Sequence, residues 1–288
     1  MSQPRQYSDF YFKARRWIVQ GSAYFIVAAW TVFAFYAVGW IFLASFSTTR
    51  EIFTNTVLQS GVHIENYIKA LTTHNMGLYF INSTIYVAIS LVLIVLLAAP
   101  AAYVLSRFEF SGRKVVQSLF VAALGIPGTM ITIPLFMVFI RLNLVGTIPG
   151  LIIVYVFTSI PFTLYFLTGF FGSLPRELEE SAKIDGCTDM GAFWRIMLPL
   201  AQPALITITI FNFIGLWNEY FWALIMVNTP GRRTLALGLQ YLVQSMRYTG
   251  DWAGMFASVV IVFLPTLILY LFLSEKIIAG ITVGAIKS

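Results

Sequence analysis

Residues 78–105 read L-Y-F-I-N-S-T-I-Y-V-A-I-S-L-V-L-I-V-L-L-A-A-P-A-A-Y-V-L, without one charged side chain. As a helix rising 1.5 Å per residue, a run of this length extends to about 40 Å, more than the hydrocarbon thickness of a bilayer. Lipid offers no hydrogen-bond partner, so the backbone of such a run must satisfy itself as a helix. The strands of a membrane barrel would alternate apolar and polar residues with period two, and this stretch does not.

The rest of the chain repeats the pattern. Of 288 residues 59% are hydrophobic and 10% charged, whereas a soluble domain carries about a quarter charged residues. Six spans are predicted, over 17–45, 78–105, 115–140, 149–172, 200–227 and 253–275, giving an all-α membrane protein. The first apolar run follows Arg5, Lys13, Arg15 and Arg16 and exceeds the core of a cleavable signal, so it reads as a retained span behind an N-terminal segment, 1–16. Residues 46–77 form the longest connection on one side, with an amphipathic helix expected near Ile64 to Leu71. The five-helix remainder, 78–275, includes a 173–199 loop, and 276–288 is a short tail.

Net charge is +6, and its placement reads as topology rather than as a nucleic-acid surface. The N-terminus, the 106–114 turn, the 173–199 loop and the tail hold twelve of the Lys and Arg residues, against six in the opposite loops. Positive-inside logic puts both termini in the cytoplasm. Cys187 is the single cysteine, which excludes an intrachain disulfide and a cysteine metal site. His63 and His74 fit no metal spacing and read as plain surface residues. No catalytic constellation and no lysine-bearing phosphate loop is present, so the chain is not expected to be an enzyme or to bind ATP or another cofactor.

The most informative connection runs from Ser173 to Pro203: S-L-P-R-E-L-E-E-S-A-K-I-D-G-C-T-D-M-G-A-F-W-R-I-M-L-P-L-A-Q-P. Pro175 suits a first helical turn, and Glu177, Glu179 and Glu180 complement its positive end. Gly186 can stop that helix in the left-handed conformation. Thr188 caps a second helix in which Met190, Phe193, Trp194 and Met197 make an apolar stripe at 0, 3, 4 and 7, expected to be exposed for docking. Pro199 opens the next span. The acidic character of the loop argues against rest on anionic lipid headgroups, which attract basic helices.

With Glu180-Ser181-Ala182, Gly186 after three residues and Ile196-Met197-Leu198-Pro199 after nine, the stretch resembles the "EAA" loop of ATP-binding-cassette importer permeases; Ser181 at the middle alanine is the one departure. Ile133-Pro134-Leu135-Phe136, Arg141-Leu142-Asn143-Leu144, Ile160-Pro161-Phe162, Trp217-Asn218-Glu219-Tyr220 and the tail from Gly280 to Lys287 resemble the smaller permease of maltose-type carbohydrate importers. Ala223 and Ser288 depart from that pattern. The resemblance implies a type I ABC importer permease fold of six spans, in a bacterial inner membrane. It implies a coupling helix docking on a separate ATP-binding cassette ATPase dimer, where ATP and Mg²⁺ would sit. A second homologous permease subunit, an extracytoplasmic solute-binding protein and membrane lipid complete the expected partners, and Lys287 would approach the ATPase. Glu180, Ser181, Ala182, Asp185, Gly186, Ile196, Leu198 and Pro199 are then the docking candidates.

A polar stripe follows from spacing alone. Gln202, Thr209, Asn212 and Glu219 share roughly a 100° arc of the fifth span. With Trp217, whose ring can stack on a sugar, they are candidates to line a solute path, because intramembrane carboxylates usually face a cavity or a partner. A non-sugar solute such as a polyol or glycerophosphate ester is the nearest alternative. A secondary transporter is more distant, since it would be expected to show repeated halves.

Overall fold

The computed structural model describes residues 5–285 and, apart from Arg247, the side chains of residues 16–274. Its order is α1 (Arg5–Ser45), α2 (Thr49–Thr54), α3 (Glu65–Thr72), α4 (Met76–Arg107), α5 (Arg113–Leu124), α6 (Gly128–Arg141), α7 (Ile148–Ser173), α8 (Glu177–Ile184) and α9 (Asp189–Ala192). A π-helical turn, Phe193–Met197, and α10 (Leu198–Leu200) lead to α11 (Gln202–Trp217), α12 (Phe221–Met226), α13 (Leu235–Thr249) and α14 (Trp252–Ala285). No strand occurs among the described residues. Lys287 lies outside them.

Four helices are long and apolar enough to cross a membrane, within Arg16–Ser45, Met76–Arg107, Ile148–Ser173 and Trp252–Ser274. They match four of the predicted spans closely. The other two are bent helix pairs, each a broken span or a re-entrant loop. The predicted span 115–140, punctuated by glycine and proline, is the pair α5 and α6, bent by 106°. Its cause is Gly125-Ile126-Pro127-Gly128: Pro127 has no N–H to continue the ladder and sits extended at ψ 129°. The expected span 200–227 is also interrupted. α11 meets the preceding helix at 72°, between Pro199 and Pro203, and ends at Trp217 before the separate α12. The segment expected as a tail continues α14 as helix through Ala285.

α4 and α7 form the central pair, with α11 and α14 packed around them. Where the pair meets α11 the contacts are small: Ala98, Ala99 and Ala102 of α4 face Ala201, Ala204 and Ile208, together with Leu167 and Phe171 of α7. Apolar association in lipid gains little from the hydrophobic effect, so close backbone approach at small residues takes its place. A larger cluster fills the other end around Tyr79, Tyr86, Leu151, Tyr155, Trp217 and Trp222. α1 is different. From Arg16 to Trp30 each residue is exposed, and the helix seats only its far end, where Trp40 meets Phe256 edge-on at 5.3 Å. α5 buries no residue.

The amphipathic helix expected near 64–71 is α3. His63 contacts Glu65 at 2.6 Å. His74, expected at the surface, is instead drawn in: its Nε2 lies 2.8 Å from Asp251 Oδ2, as does Lys69 Nζ. This trio ties α3 to the start of α14. Burial raises the affinity of Asp251 for a proton, but Lys69 and His74 outweigh it and hold the carboxyl below its ordinary value. In the preceding turn Thr48 and Glu51 form a reciprocal capping box. The Thr48 amide, then Ser60, lower the Glu51 carboxyl to about 2.

Candidate functional site

The 173–199 loop is a helix–turn–helix, as its sequence requires. α8 ends on a left-handed Gly186 at φ +80°. Cys187 N–H donates to Ala182 O at 2.9 Å and Gly186 N–H to Lys183 O at 3.0 Å, the paired bonds of a Schellman cap. A Cβ on Gly186 would meet nothing within 4 Å, so the backbone angle, not packing, demands the glycine. Thr188 caps α9, its Oγ1 accepting from Gly191 N–H at 3.1 Å. Beyond it, a continued α-helix would drive the Pro199 ring into the carbonyl of Arg195, and the chain instead widens to the π-helical turn, in which Leu198 N–H bonds Phe193 O.

The docking candidates do not share one environment. Glu180, Ser181, Asp185, Gly186 and Pro199 are exposed, and Ile196 and Leu198 are half-buried. Ala182 is 2% exposed; it helps seat α8 against the body of the chain and offers no side-chain surface. The apolar stripe is likewise corrected. At 100° per residue it straddles the edge of the packed side: Phe193 and Met197 are buried, whereas Met190 and Trp194 are exposed. Phe193 sits 5.1 Å from the Tyr103 ring and 6.3 Å from Phe171. Sequence reasoning missed Ile184, 85% exposed at the tip. The signal was available, since it lies on the open side three residues beyond Ser181. The loop therefore presents Ile184, Met190 and Trp194 beside the acidic Glu180 and Asp185, around a glycine with free space.

The inner side of the loop meets the end of α4. Arg107 Nη2 donates to Leu174 O at 2.7 Å, and Arg107 Nε lies 3.3 Å from Glu179 Oε2. The last carbonyls of α4 are satisfied by Arg113, which donates to Leu105 O and Ser106 O, and by Gln117, which also donates to Leu105 O. Arg107 and Arg113 are cations placed where a helix is negative, and Gln117 adds a neutral donor.

The candidate path residues are not brought together on one open face. Gln202 is exposed and Thr209 half-buried, but the remainder serve the packing of this chain. Asn212 is buried and donates to Thr163 Oγ1 at 2.9 Å. Trp217 is buried, donates from Nε1 to Val262 O at 3.0 Å and stacks on Phe213. Glu219 turns inward. Its Oε1 accepts from Trp222 N–H at 2.6 Å, and its Oε2 accepts from Ala223 N–H at 3.2 Å and the Tyr155 hydroxyl at 3.0 Å. The carboxylate closes the break between α11 and α12 by serving the orphan donors that open α12. That break takes Glu219 off the single helical phase that spacing alone carries through 219.

At the end of α4 away from the loop, Asn82 donates to Gly231 O and Arg233 O, Tyr86 donates to Arg232 O, and Ser83 accepts from Leu235 N–H. These residues hold the turn that leads to α13, a helix absent from the sequence expectation. Its boundaries were nevertheless written as Thr234, which caps it, and Gly250 at φ +62°.

The model for the family described as "Binding-protein-dependent transport system inner membrane component" matches residues 94–279. The chain is 36% identical to a diacetylchitobiose uptake system permease protein of Streptomyces coelicolor over 91% of this chain and 87% of that one. It is 31% identical to a trehalose transport system permease protein of Mycobacterium tuberculosis, over 88% and 93%. In fold it is similar to a chain from a bacterial ABC transporter involved in the import of the acidic polysaccharide alginate, with a TM-score of 0.75, 23% identity, and coverage of 96% and 99%. With a glycine-stopped EAA-like loop set on a bundle of apolar helices, and with that match over most of its length, the chain belongs to the family of binding-protein-dependent transport system inner membrane components, the permease subunits of ABC importers.

Proposed function

We propose that this permease carries a saccharide or oligosaccharide inward across the bacterial cytoplasmic membrane, with energy from a separate ATPase on which the 173–199 loop docks. The observation that carries the docking role is the loop's division of labour. One side is seated on the chain's own helices, while Ile184, Met190 and Trp194 project from the other beside Glu180 and Asp185. Apolar anchors of this kind dominate protein interfaces when a partner pocket desolvates them. The open space over Gly186 admits close approach of a partner backbone.

In this reading both termini and the loop face the cytoplasm, following the arginine and lysine bias. The α2–α3 segment and the turn before α13 face the solute-binding protein. The exposed lengths of α1 and α5 meet lipid and a second, homologous permease. ATP and Mg²⁺ belong to the ATPase dimer, and the chain itself binds no cofactor. The saccharide assignment follows the uptake systems to which the two relatives belong.

The test is uptake by proteoliposomes holding the whole importer, with radiolabelled diacetylchitobiose, trehalose, an arabino-oligosaccharide and glycerol 3-phosphate as probes. ATP-dependent uptake of a saccharide is expected, and Gly186→Asp should abolish it while membrane insertion persists. Uptake that survives without ATP and collapses with a proton gradient would overturn the importer mechanism. Uptake of glycerol 3-phosphate alone would overturn the saccharide class, and normal uptake in Gly186→Asp would remove the docking role.

A further inference from the structure

Neither covalent connection of the docking loop is a stiff rod. On the entry side α7 stops at Ser173, and Leu174 is extended at ψ 146°. On the exit side stand the π-helical turn and a 72° bend. A displacement of α8 passed along the chain alone would be absorbed at these elbows.

A third connection bypasses both, and it converges on the last turn of α4. Tyr103 and Arg107 are four residues apart, hence on one face of the helix. Arg107 holds the entry side, with Nη2 on Leu174 O and Nε 3.3 Å from Glu179 Oε2. Tyr103 packs on Phe193, on the exit side, with ring centroids 5.1 Å apart. The two charged side chains are 5% and 14% exposed, against 58% and 51% for the Lys183–Asp189 pair within the loop. An apolar contact can slide, but a buried ion pair resists separation, because each partner would be left as an uncompensated charge. α4 is a single helix of 32 residues, and its far end holds the Gly231–Leu235 turn through Asn82, Ser83 and Tyr86.

We propose that Arg107 and Glu179 are positioning residues that lock the docking loop to α4, making α4 the connecting rod between the loop and the Gly231–Leu235 turn on the opposite face. The inference rests on the docking role given to the loop above. It adds the route by which movement leaves the loop.

The test uses the assembled importer, with partner permease and ATPase, in a Cys187→Ser background. Nitroxide labels at position 177 on α8 and position 97 on α4 report whether the two move as one body, and double electron–electron resonance gives the distance with and without Mg²⁺-free ATP. In the native pair a single narrow distance, unchanged by ATP, is expected. Arg107→Glu or Glu179→Arg should widen the distribution at least twofold and let ATP shift it. Combining the two exchanges should restore a narrow distance and bring ATPase stimulation by the binding protein to within about threefold of the native complex, a recovery that a purely structural role would not require. Arg107→Lys, which keeps the charge and loses the fork, should fall between.

A native distance in both single variants, or a double variant as broad as the singles, would overturn the proposal. If the singles do not assemble, the double decides in the same way: assembly at the native distance supports it, and failure to assemble overturns it. A native permease that retains no ATPase would instead overturn the docking reading itself.

Discussion

Replacing Glu219 separates a structural carboxylate from a solute ligand. In Glu219→Ala the Trp222 and Ala223 amides and the Tyr155 hydroxyl lose their acceptor together. A hydrogen bond to a charged group contributes about 1.5–3 kcal/mol, and partial relaxation keeps three of them below additive, so a loss of about 4–6 kcal/mol is expected. Glu219→Gln keeps one carbonyl for the Trp222 amide, and the Tyr155 hydroxyl can turn to accept from its amide. The Ala223 donor and the charge are lost, costing about 1–3 kcal/mol. At about 2–4 °C per kcal/mol for a chain of this order of size, the alanine variant should melt some 10 °C or more below the native protein, and the glutamine variant less than half as far below. The assay is the apparent melting temperature of the detergent-purified complex beside ATP-driven uptake. An alanine variant that melts like the native protein yet transports nothing would refute the packing role and return Glu219 to the solute path.

Gly238 of α13 faces Tyr79 so closely that a Cβ there would overlap its ring. Gly238→Ala should therefore destabilise by about 1–3 kcal/mol, against the usual helical benefit of alanine, as thermal denaturation will report. Phe193→Ala and Trp194→Ala should diverge: the first empties a site between Tyr103 and Phe171 and costs about 3–5 kcal/mol, whereas the second leaves the melting temperature unchanged and weakens retention of the ATPase on co-purification. The Glu51 carboxyl is lowered from 4.5 to about 2, so its support of the 48–60 turn is complete above pH 4.5 and disappears as pH falls toward 2. Hydrogen exchange at the Thr48 and Ser60 amides should remain slow at pH 4.5 and lose protection across that interval, and Glu51→Gln should abolish the dependence.

The spans that were legible in the sequence include three that carry a single internal proline, Pro100, Pro161 or Pro265, which the helix absorbs. The run at 149–172 returns as Ile148–Ser173 despite Pro161 inside it. The runs at 115–140 and 200–227 carry the same composition, but the first contains Pro127 with Gly128 beside it, and the second starts between Pro199 and Pro203 and breaks again after Trp217. Hydropathy averages over such positions, whereas the backbone cannot. The helix–turn–helix of the 173–199 loop was readable because its signals are local: a glycine that must take positive φ and a threonine that must cap. What stayed hidden depends on distant partners. His74 needs Asp251, Arg107 needs Glu179, and Asn212 needs Thr163, and no spacing within one helix announces any of them. Glu219 stands apart for a related reason. Polarity inside an apolar run marks a group that needs partners, and here they were the first amides of the next helix.

The π-helical turn at Phe193–Met197 spends one residue more than an α-helix would over the same advance. The wide turn absorbs that surplus, so the segments on either side keep nearly the relative bearing a plain helix would give them. Closing it to α geometry by deleting Arg195 would bring the Pro199 ring against the carbonyl of Trp194, four residues before it in the shortened chain, whereas a residue removed from the regular α9 ahead of it would swing everything on its N-terminal side by about 100° around the helix axis. Phe193 would then leave its seat between Tyr103 and Phe171, or Ile184 and Gly186 would face a new direction, and no repacking could keep both. The bearing of the loop's tip is thus encoded in a count of residues ahead of the wide turn, so a chain with a flawless tip and one residue too few in α9 would carry that tip turned aside.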